Sequence, residues 1–144
     1  MGIPVINNPI KEPDMDLKDL KPVKNTIDVT LEHPATGDVL LNEDGTPMVI
    51  SLFAPYSKEY KELMYKRADE RIKKASSEGK EEFSAKLVDE ATTSILAEST
   101  SSWSITYDKK QPRLTPAKAL EVYTELFWIR PQLEKAINDD EVFT

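Results

Sequence analysis

The side chain best suited to acid–base work near neutral pH is His33, the single histidine of the chain, because an unperturbed imidazole titrates in that range. It stands beside Pro34 at the end of an alternating segment, where an exposed and inert histidine is expected. One histidine leaves one candidate base for a Ser-His-Asp triad, and the serines of Ser99 to Ser104 lie outside any Gly-x-Ser-x-Gly elbow. Carboxylates gather at Glu43-Asp44 and at Asp139-Asp140-Glu141. The segment Asn42-Glu43-Asp44-Gly45 lacks the alternating ligands and closing Glu of an oxygen-ligand calcium loop. Turn chemistry accounts for it, and the second cluster reads as a solvated helix end. The absence of cysteine excludes disulfides, thiolate metal sites and cysteine nucleophiles. Glycines at positions 2, 37, 45 and 79 build no phosphate-binding loop. Lys66, Arg67, Arg71, Lys73 and Lys74 are interleaved with acids, the pattern of a solvated helix face. The expectation is a non-enzymatic protein with no catalytic residue, no cofactor and no metal.

Those residues need elements to hold them. The 144-residue length fits one domain, and a domain of that size buries roughly 70% of its unfolded surface. The formal net charge is −7, carried by an acidic head and tail around a balanced middle. No basic footprint for nucleic acid results. The longest nearly apolar run, Met48 to Tyr56, is too short for a membrane span. The first residues lack the basic start and apolar stretch of a signal peptide, so a soluble intracellular protein is expected.

Residues 1–25 read as a flexible arm interrupted by Pro4, Pro9, Pro13 and Pro22, with Leu17 and Leu20 as its only anchors. Residues 26–144 read as a single α+β domain, an N-terminal antiparallel β-hairpin over 26–54 packed with three to four α-helices over 57–144. Ile27, Val29 and Leu31 alternate with Asp28, Thr30 and Glu32, as in a half-buried strand. Met48 to Phe53 makes the second strand after the turn signal Asn42 to Pro47. A lone two-stranded ribbon is marginal in water, so the hairpin must lie on the helices or on another chain. Ser57 caps the first helix, with Tyr60, Leu63, Met64, Ala68, Ile72 and Ala75 as its apolar stripe. Ser76-Ser77-Glu78-Gly79 breaks it. A second helix is expected from about Glu81 to Ser99 with Phe83, Leu87, Val88, Ala91, Ile95 and Leu96 inward. Ser99 to Ser104 ends that helix, and Trp103 folds back on Leu96. Thr115-Pro116 starts the next helix, and Pro131 falls in the first turn of the last.

Leu126-Phe127-Trp128-Ile129 is the unusual segment. On one helix these side chains would fan across about 300°, more than one core contact can use. Either the helix is buried on several sides within the monomer or some of these side chains face a partner; on the second reading Phe127, Trp128 and Ile129, with Phe143 beyond the last helix, are the candidate partner-binding residues.

The order of segments resembles the tail assembly chaperone family of tailed bacteriophages. The similarity lies in Thr26 to His33, Pro34-Ala35-Thr36-Gly37, Asn42 to Met48, and Ala54-Pro55-Tyr56-Ser57-Lys58-Glu59-Tyr60. It continues in Trp103 and in Phe127 to Asp139 with Phe143, and so covers about residues 26–143. The resemblance implies a protein of phage morphogenesis in the host cytoplasm, with the tape-measure protein and tail-tube protein as partners and self-association possible. The competing expectation is a structural virion component, a connector or tail-associated protein, whose arm and hairpin bind neighbouring subunits.

Overall fold

A computed structural model describes residues 16–19, 25–78 and 84–138. Three strands, β1 (Thr26–Thr30), β2 (Val49–Phe53) and β3 (Thr100–Ser104), form an antiparallel sheet in the order β1-β2-β3. Four helices complete the α+β fold: α1 (Lys58–Glu78), α2 (Ala85–Glu98), α3 (Pro116–Glu125) and α4 (Ile129–Ile137). Strands β1 and β2 are the expected hairpin, with Thr26 opposite Phe53 and Thr30 opposite Val49. The third strand was not expected. The Ser-rich segment after α2 crosses back along β2 instead of ending as a loop, which relieves the instability of an isolated ribbon.

Alternation sorts the sheet into two faces. Val29, Ile50 and Leu52 enter the core with Ile27 packed beside them, whereas Asp28, Thr30, Ser102 and Ser104 meet solvent. A bulge helps to make β3 fit. The register shifts between Ser51 and Leu52, so that Trp103 opposes Ile50 while Thr100 opposes Leu52. Three residues apart, these two would face opposite ways on a regular strand; the extra residue puts both on the core side. Trp103 is half-buried on that face rather than folded back behind a helix end. Its indole N–H donates to the Pro112 carbonyl at 3.0 Å. Its ring meets that of Tyr123 edge-on, with centroids 6.4 Å apart.

Helix α2 starts at Ser84, whose hydroxyl accepts the Leu87 N–H, and its buried side is Thr93, Leu96 and Ala97. The expected inward stripe is therefore rotated: Leu87, Val88 and Ala91 are exposed. Thr93 earns its buried place through bonds, its hydroxyl donating to the Asp89 carbonyl at 2.9 Å and accepting from Arg130 at 2.6 Å. Helix α1 is capped by Ser57 as expected, through the Tyr60 N–H at 3.1 Å. Only its first part leans on the body, with Tyr60, Leu63, Met64 and Arg67 half-buried and Ala68 and Ile72 exposed. Arg67 reaches across to Ser94 and Glu98 of α2. Leu17, expected to anchor the arm, lies on a short 3-10 turn (Leu17–Asp19) and is 84% exposed. The other residues of the arm except Asp16, Lys18, Asp19 and Asn25, the Ala75 side chain, Phe83 and the tail from Asp139 lie outside the described residues.

Two polar ties fix the hairpin to the rest. Gln132 of α4 accepts the Glu32 N–H and donates to the Glu32 carbonyl, both at 2.9 Å, so a side-chain amide stands in for a neighbouring strand. Asn42, buried in the connection between β1 and β2, aims its amide N–H₂ at the Ser104 carbonyl and hydroxyl at 3.3 and 3.2 Å, and accepts from Thr106 at 2.7 Å. Removing a buried, multiply bonded amide leaves its partners unsatisfied. Asn42→Ala should cost about 2–3 kcal/mol in urea denaturation, while the exposed Glu43→Ala stays within about 0.5 kcal/mol of wild type.

Tyr123 is fully buried, and burial pushes its phenol up to about 12, partly offset by its bond to Thr100. The unfolded chain ionises this group from about pH 10, so its contribution is complete below that pH and declines as pH rises towards 12. Tyr107, bonded to Glu125 at 2.6 Å, is raised by that bond in the same direction. Denaturation at pH 9 to 12 should show wild type losing up to about 1.4 kcal/mol per pH unit more than Tyr123→Phe in this window.

Candidate binding surface

The segment chosen from sequence does not lie on one helix. Helix α3 ends at Glu125, and Leu126 closes it by donating its N–H to the Val122 carbonyl. The chain then turns through Phe127 and Trp128, with the Ile129 N–H on the Leu126 carbonyl at 3.0 Å, and α4 follows with Pro131 in its first turn. The turn divides the four apolar side chains. Ile129 is 2% exposed inside the core, so the expectation of a partner-facing Ile129 is corrected; Trp128 is half-buried against the same core. Phe127 is 65% exposed. Phe143 lies outside the described residues.

Other apolar side chains join Phe127 on the exterior. Leu87 and Val88 of α2 are 44% and 57% exposed, and Leu120 of α3 is 40% exposed. These helices belong to one packed body, since Leu96, Ala97, Ala119, Val122 and Tyr123 share the core with Ile129 and Leu133. Arg130 adds a tie at the right place: its guanidinium meets Asp89 at 2.8 Å, next to Val88, and holds the Phe127 turn towards the first half of α2. The charge assists this positioning more than stability, because Asp89 remains largely exposed. The apolar stripe read from the sequence sets Leu87 and Val88 inward, whereas the buried side of α2 carries Thr93. A Thr–Arg pairing 37 residues apart leaves no local signal.

The residues with chemistry are engaged in turns. His33 accepts the Ala35 and Thr36 N–H groups on Nδ1 at 3.1 and 3.2 Å, the work of an aspartate in an Asx turn. Asp44 accepts from the Thr46 hydroxyl at 2.6 Å and its N–H at 3.1 Å, and these bonds hold its carboxyl below the ordinary range. Ser99 and Thr100 hydroxyls donate to the Leu96 carbonyl. Among the described residues, no group of three or more His, Asp and Glu side chains could hold a metal ion, and no described helix is long and apolar enough to cross a membrane. Comparison with protein-family models, with curated proteins and with solved structures finds no match.

The burial contrast within the turn gives a direct check. Ile129→Ala should cost about 2–4 kcal/mol by removing core contacts. Phe127→Ala, two residues away, should stay within about 0.5 kcal/mol, as read by chemical denaturation of both variants.

Proposed function

We propose that this chain is a non-enzymatic protein of bacteriophage morphogenesis, a tail assembly chaperone that holds the tape-measure protein in the host cytoplasm and presents it to tail-tube subunits. The observation that carries this reading is the set of apolar side chains left outside the core, Leu87, Val88 and Leu120 on packed helices and Phe127 in the turn between two of them. A long helical client with an apolar stripe needs such a preformed surface to stay soluble. The acidic net charge fits a protein partner better than a nucleic acid. The client is the one implied by the resemblance of the segment order to tail assembly chaperones. Trp128 supports the surface from behind, since it packs on the core beside Phe127.

Co-expression with the tape-measure protein tests the proposal. Phe127→Ala combined with Val88→Asp should lower pull-down yield at least tenfold, a loss of about 1.4 kcal/mol or more in binding, with the melting temperature unchanged. Undiminished capture by this stable variant would overturn the assigned surface. Mass spectrometry of purified virions provides the second readout. A chaperone is absent from finished particles, whereas a fixed copy number there would replace this reading with a structural virion component.

A further inference from the structure

We infer that the outer face of α1 pairs antiparallel with the same face of a second copy of this chain. Tyr65, Ala68 and Ile72 follow one another at spacings of three and four along this 21-residue helix. All are exposed, Tyr65 to 61% and Ile72 to 66%. The side of α1 that leans on the body is a different one, formed by Leu63, Met64 and Arg67. At about 100° per residue, the centres of the two faces lie roughly 120° apart round the helix. The outer face therefore has the three-four apolar spacing of a helix-pairing seam, with the exposed Lys61 ammonium of the same helix 5.8 Å from the centre of the Tyr65 ring.

The charges beside this seam choose the occupant. Glu62, Lys66, Asp69 and Lys73 line one border, all exposed, and alternate in sign at spacings of four, three and four. Reversal of that order inverts every sign. An antiparallel copy thus places Glu62 opposite the partner's Lys73, and Lys66 opposite the partner's Asp69. In a parallel pair the same border faces the other side of the partner's seam, where Met64 and Arg71 stand, and the alternation meets no complement. The border from Glu62 to Lys73 spans about 17 Å of helix at 1.5 Å per residue. That contact is small, at the low end of specific interfaces, so the pair forms as a concentration-dependent equilibrium. This surface is separate from the one on α2, α3 and the Phe127 turn, and the inference does not rest on client capture.

Sedimentation equilibrium of the full chain, with circular dichroism as a check on folding, tests it by charge exchange. Wild type should show a monomer–dimer equilibrium in the high-micromolar range. Lys66→Glu sets a glutamate against the partner's Asp69, and Asp69→Lys sets a lysine against the partner's Lys66. Each variant alone should dimerise at least tenfold more weakly with its helix content and melting temperature unchanged. An equimolar mixture of the two should recover association, as should one chain carrying both substitutions. Ile72→Asp should abolish association in every combination. A wild-type chain that remains monomeric up to about 1 mM would overturn the inference. So would a dimer indifferent to the single charge changes, or single variants that weaken the dimer but fail to associate when mixed.

Discussion

The hydroxyl of Thr100 stands where three elements meet, and the arrangement of the core follows from the two hydrogen bonds it makes. Thr100 donates to the Leu96 carbonyl at 2.9 Å and is hydrogen-bonded to the Tyr123 hydroxyl at 2.7 Å. The end of α2, the start of β3 and the last turn of α3 are thereby joined at one buried point. A donor and an acceptor of this kind are costly to bury unpaired, so the three elements have few alternative arrangements. The neighbouring Ser99 hydroxyl donates to the same Leu96 carbonyl at 3.1 Å, and the Ser99 carbonyl accepts the Phe53 N–H at 2.8 Å. These bonds convert a helix end directly into a strand beside β2.

Among the described residues, the body is then closed by packing on one face of the sheet. Val29, Ile50 and Leu52 meet Leu96, Val122, Tyr123, Ile129 and Leu133. The connection of the hairpin sends Leu31 into that core with Leu40 and Met48 packed against it, and is secured by polar bonds as well. Asn42 ties it to the end of β3, and Gln132 ties the exit of β1 to α4. The tight turn after β3 places Asp108 and Lys109 at φ 56° and 63° without a glycine. Each such residue costs about 1 kcal/mol relative to glycine. The price is borne at the surface, where the Tyr107 and Lys110 backbones pair across the turn.

This economy explains why apolar side chains remain outside. A three-stranded sheet covered on one face offers limited area, and it is filled by α3, α4 and the second half of α2. The first half of α2 and most of α1 extend past it, so Leu87, Val88, Tyr65 and Ile72 find no place in the core. Exposed apolar residues on firm helices are suited to binding because little conformational entropy remains to be lost on association.

The local signals in the sequence were sufficient for the two strands of the hairpin, through their alternation and apolar run, and for the Ser57 and Thr115 caps, the Asn42 to Pro47 turn and the position of Pro131, each of which depends on neighbours within a few residues. They were insufficient for β3, since Thr-Ser-Ser-Trp-Ser has no period of its own and becomes a strand through pairing with β2. They also misplaced the inward face of α2, where Arg130, 37 residues on, makes the buried Thr93 favourable. The apolar run Leu126 to Ile129 identified a place of interest, but chain reversal assigned Ile129 to the core and Phe127 to the exterior. Hydrophobicity is a property of residues and can be read along a chain. Which hydrophobic residue is left uncovered depends on contacts between segments far apart in sequence, and those exist only once the helices have closed over the sheet.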